Sequence, residues 1–158
     1  LFREDYFTCP IYWMDKPEWV SKLNKASDSY IKKAKKLNDK NVKERTKKHG
    51  DKGDHGMVHH SNSLIGDPKF KDLQEWILAT AYNLLDEQGF NLSDHQLFLT
   101  ELWVQEFSHL GGGHHTLHTH WNGHMSGFYF LKASDITSRP VFEDPRPGRQ
   151  MCLLPEKR

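Results

Sequence analysis

Four histidines fall within seven residues, at His114, His115, His118 and His120, and the run MSGFYFLKA follows closely. Imidazole is the commonest protein ligand for divalent transition metals, being neutral near pH 7 and carrying a directional lone pair. Successive side chains of a β-strand point to opposite faces. His118 and His120, at i and i+2, are therefore expected to face the same way and grip one ion. His114 shares their parity and is read either as a further ligand or as a hydrogen-bond donor behind them. His115 has the opposite parity and is read as a non-ligand, while His109 and His124 sit at turns and are read as solvated. Two imidazoles need at least a third donor, and the open positions of such a facial site are where non-haem iron takes an oxidant and a co-substrate. A closed zinc site would draw on cysteines, and the two here, Cys9 and Cys152, are far apart in sequence.

The elements that must position these histidines can be read from periodicity. Trp19, Val20, Leu23, Tyr30, Ile31, Ala34 and Leu37 recur at spacings of three and four, which predicts an amphipathic helix over 19–37. The lysine-rich stretch after it, about 38–56, is poor in apolar residues and is expected to be a mobile, solvated loop. Its acids are interleaved with its lysines and it holds no aromatics, so nucleic acid is not expected as a partner. A second helix is predicted over 68–87, with Asp67 as N-cap, Pro68 at the first position and Gly89 as the stop. Its buried stripe is Phe70, Leu73, Trp76, Ile77, Ala81, Leu84 and Leu85. From 96 to 107 the period changes to two: Phe98, Thr100, Leu102 and Val104 face one way, and Leu97, Leu99, Glu101, Trp103, Gln105 and Phe107 the other. Glycines 111–113 break that strand, extended structure is expected to resume over 115–120, and Asn122-Gly123 signals a tight turn. Returning strands are predicted over 125–132 and 140–143.

The chain has 158 residues, enough for one domain with a respectable core, and 36% are hydrophobic, 27% are charged and the net charge is +1. The expected division is a helical lead-in over 1–90 and a β portion over 95–158. No apolar run reaches the roughly 18 residues of a membrane span, and two cysteines make no disulfide framework, so a reducing, cytoplasmic setting is expected and a membrane is not.

The segment ELWVQEFSHLGGGHHTLHTHWNGHMSGFYFLKA, followed by PVFEDPR, resembles the 2-oxoglutarate and Fe(II)-dependent oxygenase family of bacteria and phages. The shared features are a tryptophan-bearing strand, a glycine, H-x-H, S-G-aromatic-Tyr and a downstream Asp-Pro-Arg. Upstream, HHSNSL and the second helix fit the family's lead-in, so the likeness spans roughly 56–146. It implies an α+β chain with a double-stranded β-helix, a jelly roll of the cupin kind, preceded by two helices. It further implies Fe(II) as metal, 2-oxoglutarate as co-substrate, O2 as oxidant and hydroxylation of a substrate that nothing in the sequence identifies; a protein or peptide is one analogy. His118 maps to the first metal ligand and His120 to the position that the wider superfamily gives to a carboxylate. Tyr129 and Arg146 map to groups that could bind the far carboxylate of 2-oxoglutarate. The family's distal histidine and its arginine are expected tens of residues beyond Arg158, so the barrel portion is expected to be incomplete. The implied compartment is the cytosol of a bacterium or a phage-infected host.

Two other readings stay open. GGHHTLHTH also fits a cupin pattern in which His124 joins His118 and His120 in a three-histidine site that does not use 2-oxoglutarate. Alternatively, the histidines hold a metal in a module that performs no catalysis.

Overall fold

A computed structural model of the protein describes residues 2, 8–50, 53–120, 123–137 and 139–146. Two helices pack beside a short antiparallel ribbon, and the chain after the ribbon runs without regular secondary structure among the described residues.

Helix α1, Val20–His49, is led in by a 3-10 turn at Pro17–Trp19, where proline pre-sets the backbone for helical entry. Leu23, Ile31 and Ala34 are buried on one face, as the periodicity predicts, and Ser27 is buried between them. Leu37, placed on the same stripe by its spacing, is 66% exposed instead. The helix does not stop near residue 37. Residues 38–49, expected to be loop, are its last three turns, closed at Gly50, whose φ is +72° and whose N–H bonds the Thr46 carbonyl. Lysine, arginine and glutamate are good helix formers, so a lack of apolar residues is not a lack of helix. The extension is anchored where it touches the ribbon, as Asn38 bonds His59 and an Arg45 N–H meets the Met57 sulfur at 3.0 Å, and just before it Lys35 pairs with Glu106.

Helix α2, Lys71–Glu87, follows a 3-10 turn at Pro68–Phe70, and its approach is as the sequence predicts. Asp67 accepts from the Lys69 N–H at 2.9 Å and also takes a hydrogen bond from the Tyr30 hydroxyl, which ties the start of α2 to the middle of α1. Gly89, with φ of +90°, ends it. The core joins the two helices to the ribbon through Leu23, Ile31, Leu64, Phe70, Leu73 and Val104, with Trp76, Ile77, Leu102, Tyr129 and Leu131 packed around them. Trp19 and Trp76 meet edge to face at 5.7 Å across the helix pair.

Strands β1, Val58–His60, and β2, Gln105–Phe107, pair antiparallel with Val58 opposite Phe107, His59 opposite Glu106 and His60 opposite Gln105. Backbone bonds from Ser108 to Met57 (3.0 Å), Ser61 to Val104 (3.0 Å) and Leu64 to Leu102 (2.8 Å) prolong the ribbon irregularly at both ends.

This architecture overturns the double-stranded β-helix. The described residues hold a single two-stranded sheet, and 115–120, 125–132 and 140–143, all expected as strands, contain none. Alternation of apolar and polar residues predicts two faces but does not supply what covers them. Phe98, Phe128 and Phe142, large apolar side chains of the kind a closed barrel would turn inward, are each at least 60% exposed. Phe128 instead leans on Phe130 and Phe142, at 5.1 and 6.4 Å between ring centres. The Asn122-Gly123 turn and Cys152 include residues outside those described. Among the described residues no helix is long and apolar enough to cross a membrane.

Candidate metal centre

Antiparallel partners share a face, so His60 projects on the same side of the ribbon as its partner Gln105 and, by period two, as Trp103 and Phe107. The histidine segment crosses over this platform. Gly111 and Gly112, with φ of +84° and +76°, turn the chain back toward the ribbon. Gly113 then passes so close that a Cβ there would lie 2.9 Å from the Met57 carbonyl oxygen and 3.1 Å from the Phe107 ring. Gly113→Ala is expected to cost about 1–3 kcal/mol through overpacking, read as a lower denaturant midpoint at unchanged slope.

Beyond Gly113 the rings form a row. Phe107 meets His115 edge-on at 5.6 Å, His115 lies 6.0 Å from His118, and His118 lies 5.0 Å from His120. His120 stacks on Trp103 at 6.4 Å, and Trp103 covers His60 at 4.8 Å. Residues 114–120 are all solvent-exposed. Two imidazoles bound to one ion through nitrogens about 2.1 Å away, at about 90–110° to each other, carry their ring centres about 4.5–5.3 Å apart. The 5.0 Å separation of His118 and His120 falls inside that window, whereas the 6.0 Å between His115 and His118 lies outside it.

Tautomers sharpen the distinction. The His118 Nδ1–H donates to the Thr116 carbonyl at 2.7 Å, which makes Nε2 the nitrogen that carries the free lone pair. The His115 Nε2–H donates to the Gln105 side chain at 3.0 Å, which commits that ring to the platform. The rings of the two residues that the sequence pairs do lie side by side, but not by the route that strand parity assumes. No strand runs through 115–120 among the described residues, and a local turn at Thr116 does the work assigned to strand parity.

The other candidates lie apart from the pair. His114 is exposed, with Nδ1 3.4 Å from the Gly112 carbonyl. His124 rests against Phe90 at 6.2 Å, so the three-histidine cupin set is not gathered, and His109 is exposed. Tyr129 is half-buried against the core, and its hydroxyl donates to the Lys16 carbonyl; burial and the nearby Glu18 carboxylate hold its pKa above the usual tyrosine value. The Arg146 guanidinium spans the Asp144 carboxylate, from Nε at 2.8 Å and from a terminal nitrogen at 2.5 Å, and that pairing raises its pKa. Among the described residues no group of three or more histidine, cysteine or acidic side chains is arranged to hold an ion.

Sequence reasoning missed a second histidine feature. His59 is 1% exposed. Its Nε2–H donates to Asp54 at 2.8 Å, and its Nδ1 faces the Asn38 amide at 3.2 Å. The Ser108 hydroxyl donates to the other Asp54 oxygen at 2.8 Å. Burial opposes ionisation of Asp54, but the bonds from His59 and Ser108 outweigh it and hold its carboxyl below the ordinary range. This network ties α1, the 53–56 turn, β1 and the residue that follows β2. The available signal was the His59-His60 doublet in an extended segment, because one of two adjacent strand residues must face inward and an inward histidine needs partners.

The chain matches no protein-family model, no curated protein and no solved structure.

Proposed function

We propose that the protein is a non-haem Fe(II), 2-oxoglutarate-dependent dioxygenase whose iron is held by His118 and His120. The observation that carries the reading is the 5.0 Å approach of these two exposed rings, with the His118 tautomer fixed for ligation by Thr116. The H-x-H, S-G-F-Y and D-P-R sequence likeness supplies the reaction class. Bound iron would supply activation of O2 and oxidation of a substrate C–H bond, coupled to decarboxylation of 2-oxoglutarate.

What the residues contribute follows from their chemistry. His118 offers Nε2, and Thr116 keeps the proton on the other nitrogen. Trp103, stacked 22° from parallel with His120, restrains that ring's plane. Two neutral imidazoles leave the full +2 charge of the ion uncompensated, which favours a dianionic chelate such as 2-oxoglutarate in the remaining positions. Arg146 already presents two N–H groups to a carboxylate; accepting the co-substrate's far carboxylate would require it to release Asp144.

A second reading, a metal-binding module without catalysis, is favoured by the exposure of the whole histidine segment. A surface cavity of about 420 Å3 is lined by Asn41, Glu44, Arg45, Lys48 and Met57 rather than by the ring row. Anaerobic addition of Fe(II) and then 2-oxoglutarate separates the two. The oxygenase reading expects a new metal-to-ligand absorption band that needs both additions, and the module reading expects none. In the same assay His120→Asp, which restores a carboxylate at that position, is expected to retain or tighten metal binding. Loss of binding in that variant would assign His120 another role.

A further inference from the structure

Residues 32–48 hold nine of the 22 lysines and arginines and two of the 21 acids, a net +7 in a chain whose total is +1, so the rest of the chain carries −6. Because this stretch is helical, the charges are ordered. With about 100° between successive residues, Lys32, Lys33, Lys36, Lys40, Lys43 and Lys47 fall within an arc of about 100° and extend for about 22 Å. All six are exposed, and their arc lies opposite the face that buries Leu23, Ser27, Ile31 and Ala34. The interleaved acids do not interrupt the stripe: Asp39 and Glu44 project at its two margins. Among the described residues only Lys40 of the six makes an ion pair, with Glu44 at 3.8 Å.

We infer that this face of α1 docks on the sugar-phosphate backbone of duplex nucleic acid. The inference is independent of the metal proposal. A straight row of ammonium groups complements a regular row of phosphates and gains from counterion release. The stripe contains no aromatic ring on which unpaired bases could stack, which argues against a single strand. Nor does it contain the apolar residues that would seat a helix in a lipid interface; in this stretch the one large apolar side chain that is strongly exposed is Leu37, outside the arc.

The test is fluorescence anisotropy of a labelled 20-base-pair DNA duplex, with the whole chain titrated between 50 and 200 mM salt. The expected result is salt-dependent binding. Combined Lys36→Gln, Lys40→Gln and Lys43→Gln should flatten the slope of log K against log salt by about 2.7, at about 0.9 for each phosphate no longer neutralised. The same variant should weaken binding at 50 mM salt at least tenfold. Combined Lys69→Gln, Lys71→Gln and Lys132→Gln removes the same charge elsewhere and should change affinity less than twofold, with circular dichroism confirming that both variants fold. Equal losses in the two variants, no binding at 50 mM salt, or tighter binding to single strands or to phosphatidylserine vesicles than to duplex would each overturn the proposal.

Discussion

Replacing His118 with alanine is expected to weaken Fe(II) or Co(II) binding at least 100-fold. On the proposed reading two imidazoles hold the ion, and among the described residues no larger group of possible ligands is gathered, so removing one leaves a single exposed histidine no better than any other on the surface. A metal site loses about 10–100-fold in affinity when only a supporting hydrogen bond to a ligand is removed, and loss of the ligand itself should exceed that. His115→Ala is the matched control. Its ring is a neighbour of His118 but is bonded to Gln105 and stands 6.0 Å away, so metal affinity should change less than threefold. Calorimetric titration with Co(II) reads both variants. Equal losses in the two would mean that the cluster acts as a diffuse patch of imidazoles and not as a pair.

His59→Ala is expected to be the most damaging of these substitutions for stability, at about 2–4 kcal/mol. It removes a fully buried ring and leaves the Asp54 carboxylate and the Asn38 amide without their shared partner. The pH dependence follows from Asp54. Its carboxyl is held below the ordinary value of 3.8 in the folded chain, so the unfolded chain binds more protons between the depressed value and 3.8. The stabilisation is therefore complete above about pH 5 and is lost as the pH falls through the acid range. In His59→Ala, among the described residues only Ser108 still donates to that carboxylate from a side chain, so the acid limb of stability against pH should be shallower than in the unsubstituted protein. Urea unfolding between pH 3 and 7 measures both effects. An unchanged acid limb would show that Asp54 owes nothing to His59.

Which features were legible in the sequence follows from how local their causes are. The second helix is set by Asp67, Pro68 and Gly89, each of which acts through its own backbone, and all three behave as their chemistry predicts. The period-two pattern correctly groups Trp103, Gln105 and Phe107 on one face, and that face is the platform beneath the histidines. The far half of α1 was hidden because its sequence lacks the apolar stripe that usually marks a helix. Its burial is thin and polar, made by Asn38, Lys35 and Arg45 against the ribbon, and such contacts depend on residues distant in sequence. The barrel failed for a related reason. Runs such as 125–132 have strand-like alternation, but pairing is a non-local property, and Tyr129 and Leu131 spend their apolar surface on the helical core instead.

The central claim is that His118 and His120 together hold one divalent ion. It is tested most directly by long-range proton–nitrogen NMR of the imidazoles during anaerobic titration with Fe(II). At one equivalent the rings of His118 and His120 should broaden first and together, with His118 affected through Nε2 while Nδ1 keeps its proton. Broadening spread evenly over all the histidines, or confined to one of the two rings, would contradict the account.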